Sequence, residues 1–257
     1  MTAPAHLTNQ PTADAKVPLS ENARILAIDI GGSGLKASII NTSGEMVTDR
    51  LRVKTPRLRK AETLVDEIVK LVEPLSDYAV VSVGFPGVVR NGKILTAPNL
   101  GTKTLKGLDL AGELENRLAK PVRVLNDADM QGFGAIQGEG VEMVITLGTG
   151  FGSALFFDGQ LAPHLEISHL PFRKGETYDE QLGNKAYEKI GKKSWNSRVR
   201  KAIENMRTLT NFDRLYIGGG NADKINFKLD KDVQVISNEY GLRGGAWLWQ
   251  NRRRGGD

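Results

Sequence analysis

Short, mainly apolar runs alternate with glycine turns and amphipathic stretches along most of the chain. Ile25 to Ile28 and Ala37 to Ile40 are too short for helices, and Gly31-Gly-Ser-Gly34 lies between them. They predict a hairpin whose turn is almost bare backbone. Leu64, Ile68, Leu71 and Val72 recur at helical spacing and predict a helix over 61–74. Val80 to Val83 predicts a buried strand ending in Gly84-Phe-Pro-Gly87. Leu110, Leu114 and Leu118 predict a second helix, stopped by Pro121. Val122 to Leu125 is the next strand; it runs into Asn126-Asp-Ala-Asp129 and a glycine-rich helical pattern from Met130 to Gly138.

At Val141 the opening pattern returns. Met143 to Leu147 reads as a strand, Gly148-Thr-Gly-Phe-Gly152 as a glycine turn and Ser153 to Phe157 as the partner strand, with Thr146 in the place of Asp29. Arg214 to Ile217 is a further strand, closed by Gly218-Gly-Gly220. Any one of these turns can be an ordinary tight hairpin. Three at strand ends in a β/α-alternating chain, two of them repeats, predict two hairpins facing each other across a cleft and aiming backbone N–H groups at one polyphosphate. In the first turn, Gly31, Gly32 and Gly34 let backbone approach a phosphate, Ser33 adds a hydroxyl, Lys36 a point charge, and Asp29 a carboxylate for a phosphate-borne metal. Gly148, Thr149 and Gly150 serve in the second, and Gly219 in the third. The spacing is not that of a P-loop, because a strand rather than a helix follows the first turn.

Composition narrows the partners. The chain has 257 residues, 40% hydrophobic and 25% charged, enough for a sizeable core. It has no cysteine, which excludes thiolate zinc sites, thiol nucleophiles and disulfides. No apolar run approaches a bilayer span and no signal-type segment opens the chain, so a cytoplasmic protein without a membrane partner is expected. The net charge is +5, and basic residues cluster at 50–60, 185–201 and 252–254. Such runs are either solvated faces or a polyanion groove. Aromatics that would stack bases are scarce in them, so no nucleic acid is expected. Residues 1–23, punctuated by Pro4, Pro11 and Pro18, read as a disordered leader.

This series of motifs resembles the ROK family of sugar kinases, within the sugar-kinase, Hsp70 and actin superfamily, from about Ile25 to Trp249. Asp29-Ile-Gly-Gly-Ser-Gly34 is similar to its first phosphate motif, Leu147 to Gly152 to its second, Asn126-Asp127 to its catalytic pair and Glu166-Ile-Ser-His169 to its sugar-binding Glu-x-Gly-His. Two departures stand out. Ser168 replaces the usual glycine, and the family's cysteine-rich zinc loop is reduced to Arg173-Lys-Gly-Glu-Thr177. The Asn-Asp-Ala-Asp run, the short chain and Glu166-Ile-Ser-His-Leu170 make the chain most similar to the branch of polyphosphate-dependent glucokinases and glucomannokinases, and the missing cysteine loop agrees with it.

The resemblance implies an α/β protein with the two-lobed, actin-like, duplicated ribonuclease-H-like fold and an interlobe cleft. A small lobe is expected over 24–125 and a larger one over 126–257, with the final helical pattern (Leu242 to Arg253) bracing the first. It implies phosphoryl transfer from polyphosphate, ATP or both to the 6-OH of glucose, with mannose a further acceptor, in a monomer or homodimer. Mg2+ is the expected cofactor, carried by the phosphates near Asp29, without zinc. Asp127 is the candidate general base; an Asp opening a helix can equally be its N-cap. Asp129 can serve as a first-turn carboxylate. Glu166 and His169, with His164 nearby, suit sugar hydroxyls better than a metal, because a closed site needs further ligands. Gly87, Asn99, Asn126 and Glu176 complete the expected sugar side.

Rival classes each miss a feature. A DNA-binding regulator of the family would need a domain that the 24 residues ahead of Ile25 are too few to hold. An actin- or Hsp70-like ATPase has no use for Glu166 and His169, and a chemically dead sugar sensor would lack Asp127.

Overall fold

The structure is a computed structural model, and it describes residues 19–237 and 239–250. Residues 1–18, most of the expected leader, and Arg252 to Arg254 of the third basic cluster lie outside them. Of the leader's remainder, Leu19 packs against a core cluster and Ala23 is buried.

The apolar runs form two five-stranded sheets with one connectivity used twice. In the first, β1 (Ile25–Ile30) and β2 (Gly34–Ile40) pair antiparallel, β3 (Leu51–Lys54) adds to the edge of β2, and β4 (Val80–Phe85) and β5 (Val122–Asn126) extend the sheet from β1 in parallel. The order is β3-β2-β1-β4-β5. In the second, β6 (Val141–Leu147) pairs antiparallel with β7 (Phe151–Phe157), which carries β8 (Gln160–Leu161) at the edge. β9 (Arg214–Gly218) and β10 (Val233–Val235) follow β6 in parallel. The orders match strand for strand, as expected of a duplication. The central strands are apolar on both faces because helices cover both sides.

Around the first sheet, α1 (Glu62–Val72) buries Leu64, Ile68 and Leu71, and α2 (Leu110–Leu118) buries Leu110 and Leu114. Between the sheets runs α3 (Asp127–Ala135), which packs against strands of both. The second basic cluster lies on a long helical segment, α4 (Asn184–Thr210), broken at Gly191, whose φ of 74° interrupts the helix. Trp195, Val199, Ile203 and Met206 bury one face of its second part.

The chain then returns to the first sheet. A short α5 (Tyr240–Arg243) and a 3-10 segment (Gly244–Trp249) pack on α3 and β4. Ser82 Oγ donates to Gly245 O at 2.7 Å and accepts from Trp249 Nε1 at 2.8 Å. The Arg123 guanidinium lies 4.3 Å over the Trp249 ring. Contact with the first lobe is thus made by one helical turn and a 3-10 segment, because Gly244-Gly245 weakens continuation of the α-helix. Among the described residues, no helix is long and apolar enough to cross a membrane.

Candidate active site at the junction of the two sheets

Each half contributes a glycine turn in the predicted place. Gly31 N–H donates to Gly34 O in the first, and Gly148 N–H to Gly150 O in the second, both at 2.9 Å. The two turns meet. A Cβ built on Gly32 would lie 3.4 Å from Asn99 Cβ and 3.6 Å from Thr149 Cγ2. Ser33 and Thr149 are exposed beside this seam. Gly219 underlies the second turn with a φ of 88°, a conformation a Cβ disfavours. Two residues there carried no sequence signal: Asn221 Nδ2 donates to Gly148 O at 3.0 Å, and Lys224 Nζ donates to Asn221 Oδ1 at 2.7 Å.

Asp29 and Lys36 are register partners on β1 and β2, and they form an ion pair at 2.7 Å. Among the described residues, no group of three or more His, Asp or Glu side chains is arranged to hold a metal ion. A divalent ion at Asp29 would need phosphate and water oxygens for most of its ligands. That donor set suits Mg2+, which keeps waters and binds through one or two carboxylates plus substrate phosphates.

Of the two roles the sequence left open for Asp127, the side-chain N-cap falls to Asn126. Asn126 is the N-cap of α3: its Oδ1 accepts from the backbone N–H of Ala128 at 2.8 Å and of Asp129 at 3.2 Å. Its Nδ2 donates to Gly87 O at 3.1 Å. The Gly87 N–H is bonded to Phe85 O, so Gly87 braces Asn126 and has no free N–H for a sugar. Asp127 is thereby relieved of capping through its side chain, although its Oδ1 accepts from the Ala128 N–H at 2.9 Å. It is half-buried where α3 begins. Burial, then the charge of Asp29, push its carboxyl up to about 7. A carboxylate poised there accepts a proton near neutral pH.

Asp129 lies in the first turn of α3, as expected, and its side chain has a second partner there. It is buried, and His164 Nδ1 lies 3.1 Å from both of its oxygens. His164 Nε2 faces Glu166 Oε2 at 3.8 Å, an ion-pair distance too long for a hydrogen bond. Ser168 Oγ, in the position of the usual glycine, donates to Glu166 Oε1. Burial alone would raise the Glu166 carboxyl; His164, Ser168 and the nearby His169 outweigh it and hold it low. Glu166 is therefore ionised and ready to accept from hydroxyls.

His169 is exposed on the same 3-10 turn (Ile167–His169). Asp179, which no motif marked, accepts from Phe151 N–H at 2.8 Å and ties the second turn to this side of the cleft. Glu176 accepts from Gln181 Nε2. It follows a two-residue turn, Lys174-Gly175, in which both φ angles are positive, where the resemblance places a zinc loop. Asn99, Thr149, Glu176, Asp179, Lys185 and Lys189 line a cavity of about 380 Å3.

Two matched sheets, facing glycine turns and a carboxylate at the start of a shared helix define a two-lobed phosphotransferase of the actin-like fold. The ROK family model matches residues 25–166, and the chain belongs to that family. Polyphosphate glucokinase of Mycobacterium tuberculosis (strain ATCC 25618 / H37Rv) is 31% identical over 82% of this chain and 81% of its own length. The inorganic polyphosphate/ATP-glucomannokinase of Arthrobacter sp. strain KM superposes with a TM-score of 0.81 at 30% identity, covering 88% of this chain and 98% of that one. A ROK family glucokinase from Streptomyces griseus, solved with glucose and AMPPNP, shares the fold at a TM-score of 0.73 and 20% identity, over 88% of this chain and 99% of that one. The protein is a ROK sugar kinase.

Proposed function

We propose that the protein transfers a phosphoryl group from inorganic polyphosphate, and also from ATP, to the 6-OH of glucose, with mannose as a second acceptor. The observation that carries this reading is Asp127: a half-buried carboxyl held near neutrality, at the start of a capped helix and between two phosphate-binding turns. In the reaction the sugar O6 attacks the terminal phosphorus, a new P–O bond forms and the donor's bridging P–O bond breaks. The O6 proton passes to Asp127.

Glu166 and His169 orient the sugar, with Glu176 and Asn99 at the margin of the same space. Asn126 aims Asp127 by fixing the first turn of α3. The N–H groups of Gly32, Ser33, Thr149 and Gly150 receive the donor's phosphates, those of Gly31 and Gly148 being held within their own turns. Asp29 would hold Mg2+ arriving on the donor, and the ion, when bound, would neutralise phosphate charge as it develops. The polyphosphate arm rests on the two relatives at about 30% identity and on the basic rim of the cavity.

Initial rates with glucose and mannose, each against ATP and nucleotide-free polyphosphate, test the reading. Glucose 6-phosphate formed from polyphosphate is the expected product. A protein active only with ATP would remove the polyphosphate arm, and one inactive with every hexose would remove the activity.

A further inference from the structure

The sugar-binding segment and the helix carrying Asp127 are joined by a buried charge bridge that the phosphoryl-transfer chemistry does not use. The His164 side chain is only 4% exposed and that of Asp129 only 3%. His164 Nδ1 sits 3.1 Å from both Asp129 oxygens, which needs an N–H on that atom. Its other nitrogen, Nε2, is buried, has no hydrogen-bond partner and faces Glu166 Oε2 at 3.8 Å. A neutral imidazole would bring a lone pair at Nε2 toward a carboxylate, which is repulsive; an imidazolium brings an N–H. We infer that His164 is a positioning residue: as a buried imidazolium between Asp129 and Glu166, it holds Glu166 ionised and aimed at the sugar and ties it to the helix that carries Asp127.

The charges around His164 support this. Asp129 and Asp127 face it from α3, and Glu166 from its own segment. Desolvation would lower the imidazole pKa, yet the two partner carboxylates outweigh it and raise it to about 10. The bridge also acts on Asp127, whose raised carboxyl is pulled partly back down by the His164 charge. One cation thus serves both substrate sides: it holds Glu166 in its acceptor form and keeps Asp127 from becoming too reluctant to ionise.

The sign of the linkage follows from the raised pKa. An unfolded histidine titrates near about 6.5. With Asp129 and Glu166 ionised, the bridge contributes its full stability below about pH 6.5, and that contribution fades as pH rises toward about 10. The melting-temperature gap between wild type and His164→Asn should shrink steadily over that window.

Two arms test the inference on the full-length protein. The first needs no turnover. The chain has three histidines, so His164→Asn assigns the His164 imidazole signals in 15N NMR by difference. Both ring nitrogens should carry protons through about pH 8, well above an ordinary histidine. A His164 that titrates near about pH 6.5, or sits as a neutral tautomer at pH 7, overturns the bridge. Asp129→Asn should bring the His164 titration down toward that ordinary range.

The second arm rests on the kinase reading. His164→Asn should raise the glucose KM by about tenfold or more while kcat changes by less than about threefold, measured near pH 8.5 where Asp127 is ionised in both proteins. His164→Gln, whose longer side chain carries its amide donor nearer to Glu166, should recover part of that loss. Unchanged glucose KM in both variants overturns the positioning role. A wild type that phosphorylates no hexose would overturn the kinase reading instead, and the NMR arm would still decide the bridge.

Discussion

The two glycine hairpins share a sheet order and a fold but not a chemistry. At the position before each turn, the first has Asp29 paired across the strands with Lys36, and the second has Thr146 paired with Gly152. A Cβ on Gly152 would lie 2.4 Å from Thr146 Oγ1 and 3.2 Å from Ala128 Cβ. The second hairpin has therefore given up side chains where α3 presses against it, and the first has kept an ion pair. Duplication supplied two glycine turns; divergence left an ion pair in one and room for the start of α3 in the other.

The largest test of that division lies at the base itself. Asp127→Asn removes the proton acceptor and leaves the Asn126 cap, so kcat should fall by at least about a hundredfold. Glucose binding by calorimetry should stay within a few-fold. Turnover close to wild type would reduce Asp127 to a passive helix-start residue.

Next come the paired positions. Asp29→Asn should lower kcat by about tenfold or more, whereas Thr146→Val should cost less than about threefold, because only the first carries charge toward the donor. Asp29 also helps raise the Asp127 carboxyl, so the pH profile of kcat/KM gives a second reading. In wild type the acid limb should sit near pH 7, with activity falling below it as Asp127 takes up a proton. In Asp29→Asn the limb should move to lower pH. Equal effects at Asp29 and Thr146 would erase the proposed asymmetry.

The glycines of the two halves sort differently. Gly219 has a positive φ, and a Cβ there would meet Leu147 O at 2.3 Å, so Gly219→Ala should destabilise the fold by more than about 1 kcal/mol. That corresponds to a melting temperature lower by roughly 2–4 °C or more. Gly32→Ala meets its neighbours at ordinary contact distances of 3.4 and 3.6 Å. It should melt near wild type while raising the donor KM, because the added methyl occupies the phosphate path. A Gly32→Ala protein with wild-type donor KM would place the phosphates elsewhere.

These sites differ in how far the sequence revealed them. The sheets were readable because short apolar runs between glycine turns allow little else, and the repeat named the partner of each turn. The roles of Asn126 and Asp127 were not separable, since Asn and Asp cap helices about equally well. The Asp129–His164 bridge joins residues 35 apart in sequence, and Asp179 reaches Phe151 across 28. Neither spacing leaves a local period. The long helix was obscured because lysines crowd it and Gly191 interrupts its pattern. For these two pairs tertiary approach, rather than local propensity, created the contact.

The smallest effect expected concerns the two basic clusters, which composition could not rank. Those at 50–60 are exposed on β3 and the loop after it. Those on α4 reach the site: Lys185, Lys189 and Arg198 line the cavity that also holds Thr149 and Asn99, whereas Lys192, Lys193 and Arg200 do not line it. A linear polyphosphate longer than a nucleotide's triphosphate can extend past Thr149 onto this rim. Replacing Lys185 and Lys189 with Met should raise the apparent KM for long-chain polyphosphate a few-fold and leave that for ATP nearly unchanged. Replacing Arg57, Arg59 and Lys60 should change neither. These exposed contacts are screened over about 8 Å at physiological salt, so the polyphosphate KM should also rise more steeply with salt than the ATP KM. An effect confined to the 50–60 cluster would move the donor path to the first lobe, and equal salt slopes would mean that both donors touch the same charges.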